Sequence, residues 1–172
     1  MKMSLYQNIR EAWRKPTPEF KEFLRQRLIE WRKEPVTLRV DHPTRLDRAR
    51  AIGYRAKPGF IIIRQRVNRG GRMKPQIRNG RRPKRYGRRS IIGMNYQYVA
   101  EQRAAKKYPN LEVLNSYYLA QDAMRFWFEV ILVDKSHPAI KADKRINWIS
   151  RGANRSRLKR GLTHAASSSK MA

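Results

Sequence analysis

The clearest fold signal in the chain is the segment from Leu111 to Asp134, LEVLNSYYLAQDAMRFWFEVILVD. Its two halves, Leu111–Ala120 and Arg125–Asp134, are rich in Val, Ile, Leu, Tyr, Trp and Phe. These residue types are enriched in β-strands. The short stretch Gln121–Met124 separates the halves, so we predict a β-hairpin that turns there.

A further strand is predicted before the hairpin, at Gly59–Asn68, where β-branched residues dominate. Side chains alternate between the two faces of a strand, so Ile61 and Ile63 share one face and are expected to point inward. Arg64 and Arg66 share the opposite face. We expect both arginines to point toward an anion outside the protein.

Helices are predicted around these strands from capping residues and apolar spacing. The expected helix starts are Ser4, Thr17, Thr44, Asn95 and Ser136, and a short strand is expected at Val36–Val40. The second helix carries apolar residues at three- and four-residue spacing, which is typical of a core-facing stripe. This predicted core stripe consists of Phe20, Phe23, Leu24, Leu28 and Trp31.

The most unusual segment is Arg69–Ser90, RGGRMKPQIRNGRRPKRYGRRS, which we call the basic arm. Ten of its 22 residues are Lys or Arg and none is acidic. It has too few apolar residues to offset the roughly 1–2 kcal/mol per residue that ordering a backbone costs. We therefore expect the arm to need a dense anion such as a nucleic-acid backbone. Tyr86 has no core to join and is expected to stack on an unpaired base.

The charge of the whole chain supports this interpretation. It contains 41 Lys plus Arg against 13 Asp plus Glu, for a net charge of +28. Between Arg48 and Ala100 there are 16 cations and no acid, and eight more cations follow Asp143, again without an acid. Arg outnumbers Lys by 27 to 14. Arg binds phosphate in a bidentate manner and stacks on bases, so the excess favours RNA or DNA as the partner.

Several classes of protein are disfavoured. The chain has no Cys, and its longest apolar runs are four residues, whereas a membrane span needs about 20. We expect a soluble protein that is not exported. No phosphate-binding loop, dinucleotide-binding or zinc motif occurs. Asp134 and His137 form an acid–His pair three residues apart, and a capping or turn role for His137 is favoured over catalysis; we expect no enzyme activity, cofactor or metal.

Three functions remain open from the residues alone. The first is a structural protein that neutralises folded RNA. The second is a chromatin-type packaging protein, and the third is an RNA-processing enzyme that uses Asp134 and His137. The cations of the predicted helix Thr44–Ile52 fit either nucleic-acid contact or a solvated face, with contact favoured. Gly70–Gly71 fits close approach to phosphate and a plain tight turn equally well.

Six segments in colinear order then point to one family: PTRLDRARAIGYRAKPGF (Pro43–Phe60), RVNRGGRMKP (Arg66–Pro75), VLNSYYLAQD (Val113–Asp122), FWFEVILVDKSHPAIK (Phe126–Lys141), INWIS (Ile146–Ser150) and RGLTHA (Arg160–Ala165). Together they resemble the fifteen-e family of archaeal and eukaryotic large-subunit ribosomal proteins. The resemblance implies an α+β fold with a small antiparallel sheet packed with helices. It also implies a long basic extended arm, a basic C-terminal extension and a place on the cytoplasmic ribosome. Implied partners are large-subunit rRNA and neighbouring ribosomal proteins, with no membrane and no small-molecule substrate.

The expected domain organisation is a single body of residues 1–68 and 91–150, the arm 69–90, and a basic C-terminal extension 151–172. Expected RNA contacts fall into three groups of residues. Those before the arm are Arg45, Arg48, Arg50, Lys57, Arg64 and Arg66. Those of the arm are Arg69, Gly70, Gly71, Arg72, Lys74, Arg78, Arg81, Arg82, Lys84, Arg85, Tyr86, Arg88 and Arg89. Those of the extension are Arg151, Arg155, Arg157, Lys159 and Arg160.

Overall fold

Four antiparallel strands form one sheet in the computed structural model, which describes residues 4–71, 80 and 93–170. The strands are β1 (Thr37–Val40), β2 (Phe60–Asn68), β3 (Glu112–Gln121) and β4 (Arg125–Val133). Their order across the sheet is β1-β2-β4-β3, so β3 lies at an edge. The predicted hairpin is confirmed as β3 and β4, and the small antiparallel sheet that the family resemblance implied is confirmed with it.

The centre of the sheet is the long pairing of β2 with β4, which runs from Phe60 opposite Val133 to Asn68 opposite Arg125. The outer pairing of β3 with β4 is less regular. Its register shifts between Val113 and Asn115 and again between Tyr118 and Ala120. Such bulges bend and twist a strand locally.

Three helices start at the predicted capping residues Ser4, Thr17 and Asn95, whereas the helices predicted to start at Thr44 and Ser136 are each capped one residue later, by Arg45 and His137. The helices are α1 (Leu5–Arg14), α2 (Pro18–Lys33), α3 (Leu46–Ala51), α4 (Tyr96–Lys107), α5 (Pro138–Ala142), α6 (Arg157–Arg160) and α7 (His164–Lys170), with 3-10 turns at Asn147–Ser150 and Gly152–Asn154. The side chains of Ser4, Thr17 and Asn95 accept hydrogen bonds from backbone N–H groups in the first turns of α1, α2 and α4. These bonds satisfy donors that a helix start leaves without partners.

Both faces of the sheet are buried. On one face Trp31 of α2 packs against Trp127 of β4, with ring centroids 6.2 Å apart. On the other face α4 brings Ala100 and Ala104 against Val130 and its neighbours. All of residues 127–133 are buried, because alternate side chains of this strand enter the two different cores.

The predicted core stripe on α2 is wrong over most of its length. Trp31 is its only fully buried member among the five, and Phe23 remains 46% exposed. The N-terminal part of α2 packs instead against α1, where the rings of Trp13 and Phe20 meet edge to face at 5.4 Å. None of the residues of α1 is buried. The stripe therefore holds a helical hairpin together and joins the sheet only at its C-terminal end.

The C-terminal residues add helices that the sequence did not suggest. Leu158 of α6 and Ala166 of α7 are buried in the second core, beside α4. The carboxylate of Glu112 accepts hydrogen bonds from the backbone N–H groups of Ser156 and Arg157, at 3.3 and 2.8 Å. Residues 157–169 thus pack on the sheet. The division of the chain into body, arm and extension stays a prediction.

Candidate nucleic-acid interface

One group of contacts joins the start of the basic arm to the first residue of α4, and we call it the arm root. Beyond β2, the backbone N–H of Arg69 donates to the carbonyl of Met124 at 2.8 Å. The N–H of Gly70 then donates to the Tyr96 hydroxyl at 3.0 Å, and that hydroxyl donates to the Gly70 carbonyl at 3.3 Å. Tyr96 is the first residue of α4 and follows the last residue of the arm by six positions. The start of the arm is therefore fixed against the helix that follows it.

Aromatic packing supports the arm root. The Arg69 guanidinium lies 4.9 Å from the ring centroid of Phe126, and Phe126 stacks on Tyr96 at 4.9 Å. One Arg69 N–H donates to the carbonyl of Asp122 at 3.2 Å. The side chain is still exposed, and a guanidinium has five N–H donors. Arg69 can therefore bind an anion without giving up its place on Phe126.

The two glycines at the arm root differ. Gly70 has a φ of +106°, a left-handed conformation that favours glycine. The tight-turn interpretation is therefore sufficient for Gly70. No atom of the described residues lies within 4 Å of the position that a Cβ would take at either Gly70 or Gly71, so these residues leave the backbone open to close approach by a ligand.

The prediction that Arg64 and Arg66 face an external anion is wrong in orientation, although the two do share a face. Both extend toward the C-terminal end of α2. Arg64 donates to both oxygens of Glu34, at 2.9 and 2.8 Å, and its guanidinium lies 4.6 Å from the Trp31 ring centroid. Arg66 donates to the carbonyl of Arg32 at 2.8 Å. Cations are favourable at a helix C-terminus because of its partial negative charge.

The start of α3 is held in place by a buried acid. Glu129 is fully buried, and its carboxylate accepts hydrogen bonds from the Thr44 backbone at 3.0 Å, the Thr44 hydroxyl at 2.5 Å and the Tyr117 hydroxyl. Burial raises the pKa of Glu129 above its usual range, although these bonds and the charge of Arg64 act in the opposite direction. Thr44 precedes α3, so the bonds fix the start of that helix.

The three arginines at the start of α3 and within it differ in their contacts with other protein groups. Arg45 is nearly buried, pairs with Asp47 at 3.0 Å and lies 4.7 Å from the Trp13 ring centroid. Arg50 is half-buried over the Tyr6 ring, at 5.1 Å. Arg48 is exposed and has no acidic partner within the described part of the chain. Of the three, Arg48 is the most available to an outside phosphate.

The remaining predicted cations lie apart from the arm root. Lys57 donates to Asp143 at 2.7 Å, and this bond, with the N–H of Arg145, lowers the pKa of Asp143. Arg157 is half-buried against the ring of Trp148, at 4.6 Å. The other C-terminal cations, Arg151, Arg155, Lys159 and Arg160, are exposed, and Arg160 donates to the carbonyl of Ala153. The arm residues Arg72, Lys74, Arg78, Arg81, Arg82, Lys84, Arg85, Tyr86, Arg88 and Arg89 lie outside the described residues.

Sequence reasoning missed the residues that organise these surfaces. Tyr96 was assigned no role at the arm, yet its hydroxyl forms hydrogen bonds with the N–H and carbonyl of Gly70. Asp122 was not singled out, although its carboxylate accepts from the N–H groups of Met124 and Arg125 and forms the hairpin turn. Burial acts to raise the pKa of Asp122, but these bonds and Arg32 outweigh it, so the pKa is lowered. A lone Glu inside the apolar run FWFEVILV was the available signal for Glu129.

The acid–His pair has structural roles. His137 caps α5, where its Nδ1 accepts from the N–H of Ala139 at 3.1 Å. Asp134 accepts from the N–H of Ser136 at 2.9 Å. The capping interpretation of His137 is confirmed. In the described ranges no three His, Asp or Glu side chains gather in a way that would hold a metal ion, and none of the helices there is long and apolar enough to cross a bilayer.

The fold and its surface define a class: a small basic α+β protein with four buried acids, while many of its cations face outward. The chain belongs to the family described as Ribosomal L15, whose family model matches residues 4–171. It is 49% identical over 167 residues to the Large ribosomal subunit protein eL15 of Methanocella arvoryzae, covering 96% of this chain and 85% of that protein. The family resemblance inferred from the sequence is confirmed. The family is one of ribosomal structural proteins, not of enzymes.

Proposed function

We propose that this ribosomal protein is a structural component of the large subunit that binds and stabilises folded large-subunit rRNA, chiefly through the basic arm. The observation that carries the proposal is the arm root. There Tyr96 and Phe126 contact Gly70 and Arg69, the first residues of a segment with ten cations and no acid. A segment of this charge, attached to the sheet at its start, can enter a groove or junction of folded RNA and neutralise phosphates there.

Exposed cations of the body extend the proposed interface. Arg48 on α3 and the C-terminal residues Arg151, Arg155 and Lys159 are exposed. Arg64 and Lys57 are already paired with Glu34 and Asp143, so any RNA contact of theirs is shared with an acid. The proposed set of RNA contacts also includes the arm cations and four arginines that already contact protein groups: Arg50, Arg66, Arg157 and Arg160.

The salt dependence of RNA binding tests the arm directly. Each neutralised phosphate contributes about 0.7–0.9 to the slope of log affinity against log salt. Replacing five arm cations by Gln (Arg81, Arg82, Lys84, Arg85 and Arg88) should reduce the slope by about 3.5–4.5. The binding partner is purified large-subunit rRNA, titrated with the full-length protein at several salt concentrations.

A matched control removes the same charge elsewhere. Five exposed cations of α1, α2 and the connection between them are replaced by Gln in a second variant: Arg10, Arg14, Lys15, Lys21 and Arg25. Both variants have the same net charge, so a general effect of charge would change both slopes equally. We expect the control slope to change by less than about 1. Equal losses in the two variants, or competition by duplex DNA as effective as that by rRNA, would contradict the proposal.

The proposed location follows from the same interaction. The native protein should sediment with large ribosomal subunits in moderate salt. The five-substitution arm variant should leave the subunits at lower salt than the α1–α2 control does.

A further inference from the structure

A cleft opens at the free edge of β3, and of its lining residues only Arg48 belongs to the exposed cations of the interface proposed above. It lies between α3, on one face of the sheet, and α4 and α7 on the other, and its volume is about 350 Å³. This volume falls within the range of sites that bind one small molecule, about 300–1,000 Å³, and is far too small for a nucleic-acid helix. Its lining includes Arg45, Arg48, Gln97, Asn115, Tyr118 and His164.

The cleft is cationic. Arg48 and His164 are exposed at its rim, whereas the nearly buried Arg45 is paired with the buried Asp47 at 3.0 Å. None of the lining residues is acidic. Glu129 and Glu101, which bind the lining residues Tyr117 and Ser116, are fully buried with both oxygens engaged. An anionic ligand therefore meets positive charge and no exposed carboxylate.

The cleft also has an exposed aromatic ring and two side-chain amides, each with one group that has no hydrogen-bond partner among the described residues. Tyr118 is 42% exposed, and its ring packs edge to face against Phe128 at 6.1 Å, which fixes its plane. Asn115 accepts from the N–H of Ser116 through Oδ1, so its NH₂ group, which has no partner among the described residues, can donate to a ligand. Gln97 donates to the carbonyl and hydroxyl of Ser116, so its Oε1, which likewise has no described partner, can accept from a ligand. One donor and one acceptor beside an exposed ring match the edge and face of a nucleobase.

We propose that this cleft binds a single unpaired nucleotide of folded RNA, with its base on Tyr118, its base edge at Asn115 and Gln97, and its phosphate toward Arg48 and His164. The proposal rests on the proposed function, since it names a second and base-dependent contact to the same class of partner. A peptide strand added to the edge of β3 is the competing occupant. The two register shifts of β3, which flank Asn115–Tyr118, interrupt the regular ladder that such a strand needs.

Binding to two RNA probes tests the proposal with the full-length protein. One probe is a hairpin RNA with a bulge of three unpaired uridines, and the other has abasic nucleotides at those three positions. The probes have the same phosphates, so their difference measures base contacts alone. Base–aromatic stacking predicts that the wild-type protein binds the uridine probe about five- to a hundredfold more tightly.

Two variants assign this preference to the cleft. Tyr118→Ala should abolish it while leaving binding of the abasic probe unchanged. Tyr6→Ala removes a tyrosine of similar exposure, 38%, that does not line the cleft, and it should keep the preference. Equal binding of the two probes by the wild type, or an unchanged preference in Tyr118→Ala, would overturn the proposal. Absence of salt-dependent binding to both probes would instead overturn the proposed function itself.

A second measurement uses assembled large subunits. The photo-crosslinking substitution Tyr118→p-benzoylphenylalanine should yield crosslinks to rRNA, mapped to one unpaired nucleotide by primer extension. Crosslinks to another protein would identify the added strand as the occupant and overturn the proposal, as would crosslinks only to paired nucleotides. The same substitution at Tyr6 serves as the control for background labelling.

Discussion

Substitution of Glu101 tests how the C-terminal helices are held on the sheet. This residue of α4 is fully buried, and its carboxylate accepts hydrogen bonds from the hydroxyls of Ser116, at 2.5 Å, and Thr163, at 2.6 Å. The two bonds connect α4 to the edge strand β3 and to the residue that precedes α7. Glu101→Ala should therefore loosen α7 as well as destabilise the fold.

The size of the effect follows from the two lost bonds. A hydrogen bond to a charged group contributes about 1.5–3 kcal/mol, and the buried hydroxyls of Ser116 and Thr163 lose their acceptors together. Burial raises the pKa of Glu101 despite those two bonds and the nearby charge of His164, so desolvation offsets part of the gain. We expect a net loss of about 2–4 kcal/mol. For a chain of this length that loss lowers the Tm by about 4–16 °C.

The sign of the pH dependence can also be worked out. The pKa of Glu101 is raised in the folded state, so folding favours the protonated form. The stability that Glu101 contributes is then fully present below the pKa of the unfolded state, about 4.3. It is progressively lost as the pH rises through the pKa of the folded state. The penalty of Glu101→Ala should accordingly be largest near pH 4 and smaller at pH 8.

Denaturant titrations at several pH values measure this penalty, and hydrogen exchange gives a local readout. The N–H of Ala166 donates to the Thr163 hydroxyl and should lose protection in Glu101→Ala. Glu22→Ala is the matched control, because Glu22 is an exposed helical glutamate 3.7 Å from Arg25, and it should change stability by less than about 0.5 kcal/mol. A Glu101→Ala penalty as small as that of the control, or one that grows with pH, would refute the reasoning.

Two further predictions concern the turns that join the elements. At Gly59, whose φ is +93°, an added Cβ would lie 2.6 Å from Cγ1 of Ile140, so Gly59→Ala should cost about 2–5 kcal/mol in a denaturant titration. Gly71→Ala, where nothing lies within 4 Å, should stay within about 0.5 kcal/mol of wild type. Asp122 has a lowered pKa and a bond to Arg32 at 3.0 Å, so its contribution is present above pH 4 and lost in acid. The Tm difference between wild type and Asp122→Asn should therefore shrink below about pH 4, and a constant difference would contradict this assignment.

Local chemistry made part of the fold predictable. Ser4, Thr17 and Asn95 were assigned as helix starts because a side-chain oxygen at those positions satisfies the first backbone donors, and all three do so in the structure. The hairpin was equally readable, since two strand-forming runs flank a short polar stretch. Such signals act within a few residues of the chain, so tertiary packing has little opportunity to override them.

What the sequence could not give was the pairing of distant elements. Arg64 was placed on the correct side of its strand, but Glu34 lies thirty positions earlier, and no local pattern indicates that the end of α2 covers that face. The short helices α6 and α7 were missed for the same reason. The segment from Arg157 to Lys170 has too few apolar residues for a periodic signal, and Glu112 and Glu101 on other elements hold it in place.

The positions of the acids explain how so basic a chain keeps a defined fold. Four of the acids are buried among protein donors: Asp47, Glu101, Glu112 and Glu129. They cannot screen the surface, so the outward cations keep their charge for a partner. Each of three anchored segments also adjoins proposed RNA contacts. Glu129 fixes the start of the helix that carries Arg48, Glu112 fixes the N–H of Arg157, and Asp122 forms the turn beside Arg69. Carboxylates that are bonded within the fold thus position segments that carry cations, and because these carboxylates already have protein donors they do not compete with phosphate for those cations.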